Sequence, residues 1–126
     1  MIYIDSSVAL AYLFVEDRTP PMRLWDERLV SSRLLAYEFW NRFHARRHTR
    51  PEDARALLAR VSLIDLTLPA LARALEPFPL PVRTLDGLHL ATIEFLRGGG
   101  EPIEFASYDR KLLACAHALG IATYPL

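Results

Sequence analysis

Residues 2–13 read IYIDSSVALAYL. Ile2-Tyr3-Ile4 is a short apolar run with strand character, and an amphipathic helical pattern starts right after it. Val8, Ala11, Tyr12 and Val15 recur at helical spacing, and Ser6 or Ser7 suits the cap position. Asp5 stands at the junction. A strand that passes at once into a helix, with an acid between them, is how an α/β unit looks at the carboxyl edge of a parallel sheet.

The same arrangement recurs along the chain. A break with two prolines (Glu16 to Pro21) and a short helical segment (Pro21 to Glu27) lead to a strand at Leu29–Ser31. A helix is expected from Leu34 to about His48, with Leu35, Phe39 and Phe43 on one face. Thr49 and Glu52 match a capping box for a helix running to about Val61. A strand is expected at Leu63–Leu66, followed by a helix capped by Thr67 and running through Leu75. Pro77, Pro79 and Pro81 mark a loop. Thr84 suits the cap of a helix over Leu85–Arg97 that Gly98-Gly99-Gly100 ends. A strand at Ile103–Ala106, a helix over Lys111–Leu119 with Gly120 beyond it, and a strand at Ile121–Tyr124 complete the series. The alternation predicts an α/β fold with a central, mostly parallel sheet and helices on both faces.

The 126 residues fit one domain, 1–126, and the 52% apolar content supports a buried core. Formal net charge is zero, so attraction to a polyanion has to be local. Lys111 is the one lysine among 15 basic residues, which carries little functional meaning. Cys115 is the only cysteine and sits in an Ala/Leu-rich helical pattern, as a buried small apolar residue would. No charged leader precedes Ile2 and no apolar run is long enough to span a membrane, so the expected location is cytoplasmic.

Four acids fall at or just inside such junctions. Asp5 ends the first strand, Glu38 lies about one turn into its helix, Asp86 lies in the opening turn of TLDGLHLATIEFL, and Asp109 follows IEFASY. Each has an ordinary reading alone. Asp5 is a helix cap, Glu38 and Asp86 are acids favoured by a helix dipole, and Asp109 is a turn residue. Their shared position on one sheet edge argues for convergence. Carboxylates ~4 Å apart repel by about 4 kcal/mol at an effective dielectric of 20, and a divalent cation removes that cost. Hard oxygen ligands without thiolates suit Mg²⁺ or Mn²⁺, and such ions most often act on phosphate esters. Ser7 and Ser107, each two residues from an acid, are placed to orient a carboxylate or serve as plain caps. Asp65 and Glu94 read as ordinary acids, and His89, one turn after Asp86, reads as structural.

At these residues the chain resembles the PIN-domain family, and within it the VapC-type toxin ribonucleases. The matching pieces are IYIDSSVALAYL, LLAYEFWNRF, VRTLDGLHLATIEFL and FASYDRKLLACAHALGI, in the family's order and over nearly the whole chain. Ser6 stands where Thr is more usual and Gly87 where Ala is more usual. The resemblance implies a three-layer α/β/α sandwich. It implies that Asp5, Glu38, Asp86 and Asp109 bind Mg²⁺ or Mn²⁺, and that RNA phosphodiesters are hydrolysed by a metal-activated water, leaving a 5′ phosphate and a 3′ hydroxyl. It also implies a cognate VapB-type antitoxin over the active groove, and a homodimer. Trp25, Phe39 and Trp40 are available for an interface or for the core.

RNA phosphates need cations near the acids. Arg110 and Lys111 follow Asp109 directly. The stretch RFHARRHTR (42–50) offers Arg42, Arg46 and Arg47 as further contacts, or simply a solvated helix end. A phosphoacceptor receiver domain is also small and α/β, but it needs an acidic pair after its first strand, where this chain has Ser6-Ser7. A catalytically silent PIN-like module that binds metal or RNA is the remaining alternative.

Overall fold

β1 (Ile2–Ile4) lies at the middle of the sheet, flanked on one side by β2 (Leu29–Ser32) and on the other by β4 (Glu104–Ala106). β3 (Val61–Ile64) and β5 (Ala122–Thr123) form the two edges, giving the order β3-β2-β1-β4-β5. Every neighbouring pair is parallel. The computed structural model describes residues 1–126. The chain winds outward from β1 through β2 to β3, then returns to the other side of β1 to form β4 and β5. The order therefore reverses between β1 and β4, and in a doubly wound sheet the crevice beyond those two carboxyl ends is where ligands bind.

Both faces of the sheet are covered because β1 alternates. Ile2 and Ile4 point into one core with Val8, Leu24, Trp25, Leu29, Leu35, Phe39, Phe43, Leu57 and Val61. Tyr3 points into the other, with Val30, Leu90, Ile93, Phe105, Leu112 and Cys115. The first core takes α1 (Ser6–Leu13), α2 (Leu34–Ala45) and α3 (Pro51–Leu58). The second takes α5 (Thr84–Gly98) and α6 (Arg110–Ala118). α4 (Leu68–Ala74) packs against α5. The arrangement is the α/β/α sandwich expected from the sequence. Trp25 and Phe39 belong to the core, at 5% and 0% exposure, so neither is available to a partner.

Local chemistry moved several boundaries. Asp5, not Ser6 or Ser7, caps α1 by accepting from the Ser7 amide. The expected capping box at Thr49 does not form. Pro51 takes the first position of α3, where its fixed φ suits a helix start, and this puts Arg50 at the cap. Glu52 then meets the Arg50 guanidinium at 3.3 Å. β3 starts two residues early because Val61 registers with Leu29, which leaves Asp65 beyond the strand and paired with Arg33. Thr67 caps α4 as expected, with its hydroxyl accepting from the Ala70 amide at 3.2 Å. Arg83 rather than Thr84 occupies the cap of α5. Gly100 and Gly120 adopt φ of 88° and 73° past the ends of α5 and α6, where other residues would be strained.

Gly87 lies inside α5 and has no such need. An added Cβ would sit 3.4 Å from Phe78 Cε2 and 3.5 Å from Val82 Cγ2, which is ordinary contact. Gly87→Ala is therefore expected to stabilise the protein by about 0.5–1 kcal/mol through helix propensity. A thermal melt checks this, and a lower melting temperature would show that Phe78 cannot accommodate the methyl.

Candidate active site

Asp5 leaves β1 directly into α1, at the point where the sheet order reverses. Its side chain is 4% exposed. One oxygen, Oδ1, accepts from the Ser7 amide at 3.1 Å and from the Ser7 hydroxyl at 2.5 Å. The other, Oδ2, accepts from the Ser107 hydroxyl at 2.6 Å. Each serine also takes a backbone proton from the turn after β4. The Tyr108 amide donates to Ser7 Oγ and the Asp109 amide to Ser107 Oγ, both at 2.9 Å. The two hydroxyls thus pass their hydrogen bonds on to one carboxylate and tie the β4–α6 turn to the end of β1. Burial pushes the Asp5 carboxyl above its ordinary range, and the serine donors oppose that shift.

Asp109 caps α6, with Oδ1 accepting from the Lys111 amide at 3.0 Å and the Leu112 amide at 3.1 Å. The helix-cap reading of Asp5 therefore describes it correctly, and Asp109 proves to be a cap as well. Capping and a place on the carboxyl edge coincide because helices of a parallel sheet start where its strands end.

Glu38, one turn into α2, is held differently. Its Oε1 lies 2.6 Å from His89 Nε2, and the Ser6 hydroxyl points at Oε2 from 3.4 Å. His89 is 1% exposed, and its Nδ1 lies 2.7 Å from the Tyr3 hydroxyl. That hydroxyl also accepts from the Ser32 amide at 3.1 Å. A carboxylate only accepts, so Nε2 carries the proton toward Glu38, and in the neutral ring Nδ1 accepts from the Tyr3 hydroxyl. The hydrogen bonds therefore assign the tautomer in which Nε2–H donates to Glu38. Burial raises the Tyr3 phenol well above its ordinary value, so it stays protonated in this chain of bonds.

The sequence reading did not connect Tyr3 and His89 to the acids. Two signals were present. A tyrosine inside a fully buried strand needs a partner for its hydroxyl, and His89 follows Asp86 by three residues, which sets both on one helix face.

Asp86 sits in the first turn of α5, half-buried, and no protein group donates a hydrogen bond to it. Burial raises its carboxyl, and the neighbouring charges of Asp109 and Glu38 push the same way. Glu38 acts likewise on Asp5, so the four acids share one electrostatic neighbourhood. Asp86 and Asp109 line a cleft of about 670 Å³ together with Arg18, Arg83, Arg110 and Lys111. None of these four cations lies within 4.0 Å of a carboxylate. Acids and cations share the cleft without direct ion pairs, although the Arg83 charge partly opposes the rise at Asp86.

This donor set, carboxylate oxygens with one acid lacking any protein partner, fits a hard divalent cation. The side chains as placed do not draw three of the acids into one coordination group. Asp5, Glu38 and Asp109 are instead held by the serines, by His89 and by the amides of α6. Glu94, two turns beyond Asp86, pairs with Arg73 at 2.7 Å and takes no part.

Of the basic candidates, Arg110 and Lys111 line the cleft and the stretch from Arg42 to Arg50 does not. Arg46 stacks over Phe14 at 4.5 Å and meets Glu16 at 3.9 Å, while Arg50 pairs with Glu52 and Asp53. Arg47 adopts φ of 50° just past the end of α2. Arg46 and Arg50 are thus engaged locally, at the end of α2 and the start of α3. Arg18 and Arg83 were missed, because nothing in the sequence marks a loop arginine as facing a site. If the cleft takes single-stranded RNA, neutralising Arg110 and Lys111 together is expected to reduce the salt slope of binding by about 1.4, at roughly 0.7 per single-strand phosphate contact. Neutralising Arg42, Arg46 and Arg47 should leave the slope unchanged. Affinity measured against salt for both variants checks this assignment.

The PIN-domain family model matches residues 2–99, a span that holds Asp5, Glu38 and Asp86 and stops short of Asp109. The chain belongs to the PIN-domain family. It is similar to Ribonuclease VapC47 of Mycobacterium tuberculosis, at 30% identity over 133 aligned residues that cover 98% of this chain and 95% of the relative. That alignment takes in the carboxyl-terminal part beyond the family match. A solved toxin-antitoxin complex from Klebsiella pneumoniae contains a chain with the same fold. The TM-score is 0.70 at 16% identity, and the match covers 100% of both chains. No helix of this PIN protein is long and apolar enough to cross a membrane.

Proposed function

We propose that this PIN protein is an Mg²⁺- or Mn²⁺-dependent endoribonuclease, the toxin of a VapBC-type toxin-antitoxin pair. The observation that carries the reading is the edge between β1 and β4. There Asp5, Glu38, Asp86 and Asp109 share one electrostatic neighbourhood, beside four cations that pair with none of them. The likeness to Ribonuclease VapC47 over nearly the whole chain supports RNA as the substrate.

When bound, a divalent ion supplies an activated water and stabilises the leaving oxygen. The protein's part is to hold the four acids in register and to steer the phosphodiester. Asp5 is fixed by Ser7 and Ser107, Glu38 by His89, and Asp109 by the first amides of α6. Arg110 and Lys111, next to Asp109, are the nearest chain positions for gripping the RNA backbone. No covalent nucleophile is invoked, and Cys115 is buried in the second core. A cognate VapB-type antitoxin is the proposed partner, and its placement over the acid cleft would block RNA. The protein is proposed to act in the cytoplasm, as a homodimer, with residues 1–126 forming a single nuclease domain.

The test is incubation of total RNA with the purified protein and Mg²⁺, followed by ligation-based mapping of the ends. Discrete fragments with 5′ phosphates and 3′ hydroxyls are expected. Intact RNA alongside normal Mn²⁺ binding would identify a silent binding module instead.

A further inference from the structure

We infer that His89 is a positioning residue for Glu38, with Tyr3 in turn fixing His89. The inference rests on the reading of Glu38 as a member of the metal-holding set. Both ring nitrogens of His89 are committed, Nε2 to Glu38 Oε1 at 2.6 Å and Nδ1 to the Tyr3 hydroxyl at 2.7 Å. The two partners lie 51 and 86 residues away, on α2 and β1. Burying a polar ring to 1% exposure against Tyr3 is costly unless each nitrogen finds a partner, and an apolar residue would fill the space more cheaply. A histidine here therefore has a directional role.

The circuit closes on itself. The Tyr3 hydroxyl takes the Ser32 amide, and the Ser32 hydroxyl takes the Leu34 amide at the start of α2. Glu38 is one turn further on. The same phenol thus sets both the start of α2 and, through His89, the tip of a side chain on that helix. The Tyr3 and His89 rings meet edge to face, 5.7 Å apart at 78°, so the imidazole cannot swing without disturbing β1. A glutamate has three side-chain torsions to fix. With Oε1 held, Oε2 is left to face Ser6 and the acid edge.

Removing an outer partner of a ligand typically weakens metal binding 10–100-fold. Calorimetry with Mn²⁺ on the apo protein, with a thermal melt for each variant, tests the assignment. His89→Phe keeps a ring in the core but removes the donor, and is expected to weaken Mn²⁺ binding 10–100-fold. His89→Gln keeps an N–H near the position of Nε2 and is expected to restore affinity to within about threefold of the parent. Tyr3→Phe removes only a hydroxyl and is expected to weaken binding severalfold. Parental affinity in His89→Phe overturns the inference, and so does His89→Gln binding as poorly as His89→Phe. If His89→Phe does not fold, Tyr3→Phe decides, and parental affinity in it overturns the inference. Glu38→Gln keeps the two readings apart. If it binds Mn²⁺ as well as the parent, Glu38 is not in the metal-holding set and the underlying reading fails.

Discussion

Asp86→Asn is expected to lower the rate of RNA cleavage by a factor of roughly 10²–10³, a loss of about 3–4 kcal/mol in transition-state stabilisation. Asp86 is the acid to which no protein group donates, so its charge is the one least committed to the fold. The variant removes that charge and keeps the shape. Asp5→Asn is expected to lose activity by a similar factor. Asp5 also receives hydrogen bonds from Ser7 and Ser107, but both hydroxyls can rotate to meet an amide. Circular dichroism and a melt establish the fold of each variant, and single-turnover cleavage gives the rate. Parental rates in both variants would remove the acid edge from the chemistry.

The second large effect couples stability to metal. The Asp86 carboxyl is raised in the folded protein by burial, and by Asp109 and Glu38. The folded state therefore binds its proton more tightly than the unfolded chain does. The apo protein should lose stability as pH rises through the raised value, and remain at the lower level near neutrality. Asp86→Asn removes this dependence, so at neutral pH the apo variant should melt at or above the parent. A cation that binds only the folded state adds about 2.7 kcal/mol at a hundred times its dissociation constant. For a chain of this size that corresponds to about 10 °C. The parent should show the full shift with Mn²⁺ and the Asn variant a smaller one. Equal shifts would place the ion elsewhere. A plain first-turn acid favoured by the helix dipole predicts instead a small loss of about 0.3–1 kcal/mol in the Asn variant and no difference in the metal-induced shift.

How far the sequence reached follows from the kind of signal each feature leaves. The strand-to-helix junctions at Asp5 and Asp109 were legible because apolar runs and helical periodicity are local patterns. A parallel sheet converts local junctions into a shared edge. Glu38 and Asp86 lie inside helices, so only their nearness to the helix starts pointed inward. The bonds from His89 to Glu38 and Tyr3 were not legible in the same way. They join three elements through side-chain directions that no local pattern encodes. Boundaries failed where one residue's chemistry overrode the pattern. Pro51 displaced the capping box at Thr49, and the pairing of Val61 with Leu29 shortened the helix before β3. The basic stretch after Arg42 was open to two readings for a different reason. Charge in sequence does not tell whether it faces a cleft or, as with Arg46 over Phe14, finishes a helix.

Metal removal and add-back on one defined RNA tests the central claim most directly. Protein dialysed against EDTA and then into metal-free buffer should leave the RNA intact. Mg²⁺ or Mn²⁺ returned to the same sample should restore cleavage at the original positions. Undiminished cleavage by the dialysed protein would contradict a site built from Asp5, Glu38, Asp86 and Asp109 around a divalent ion.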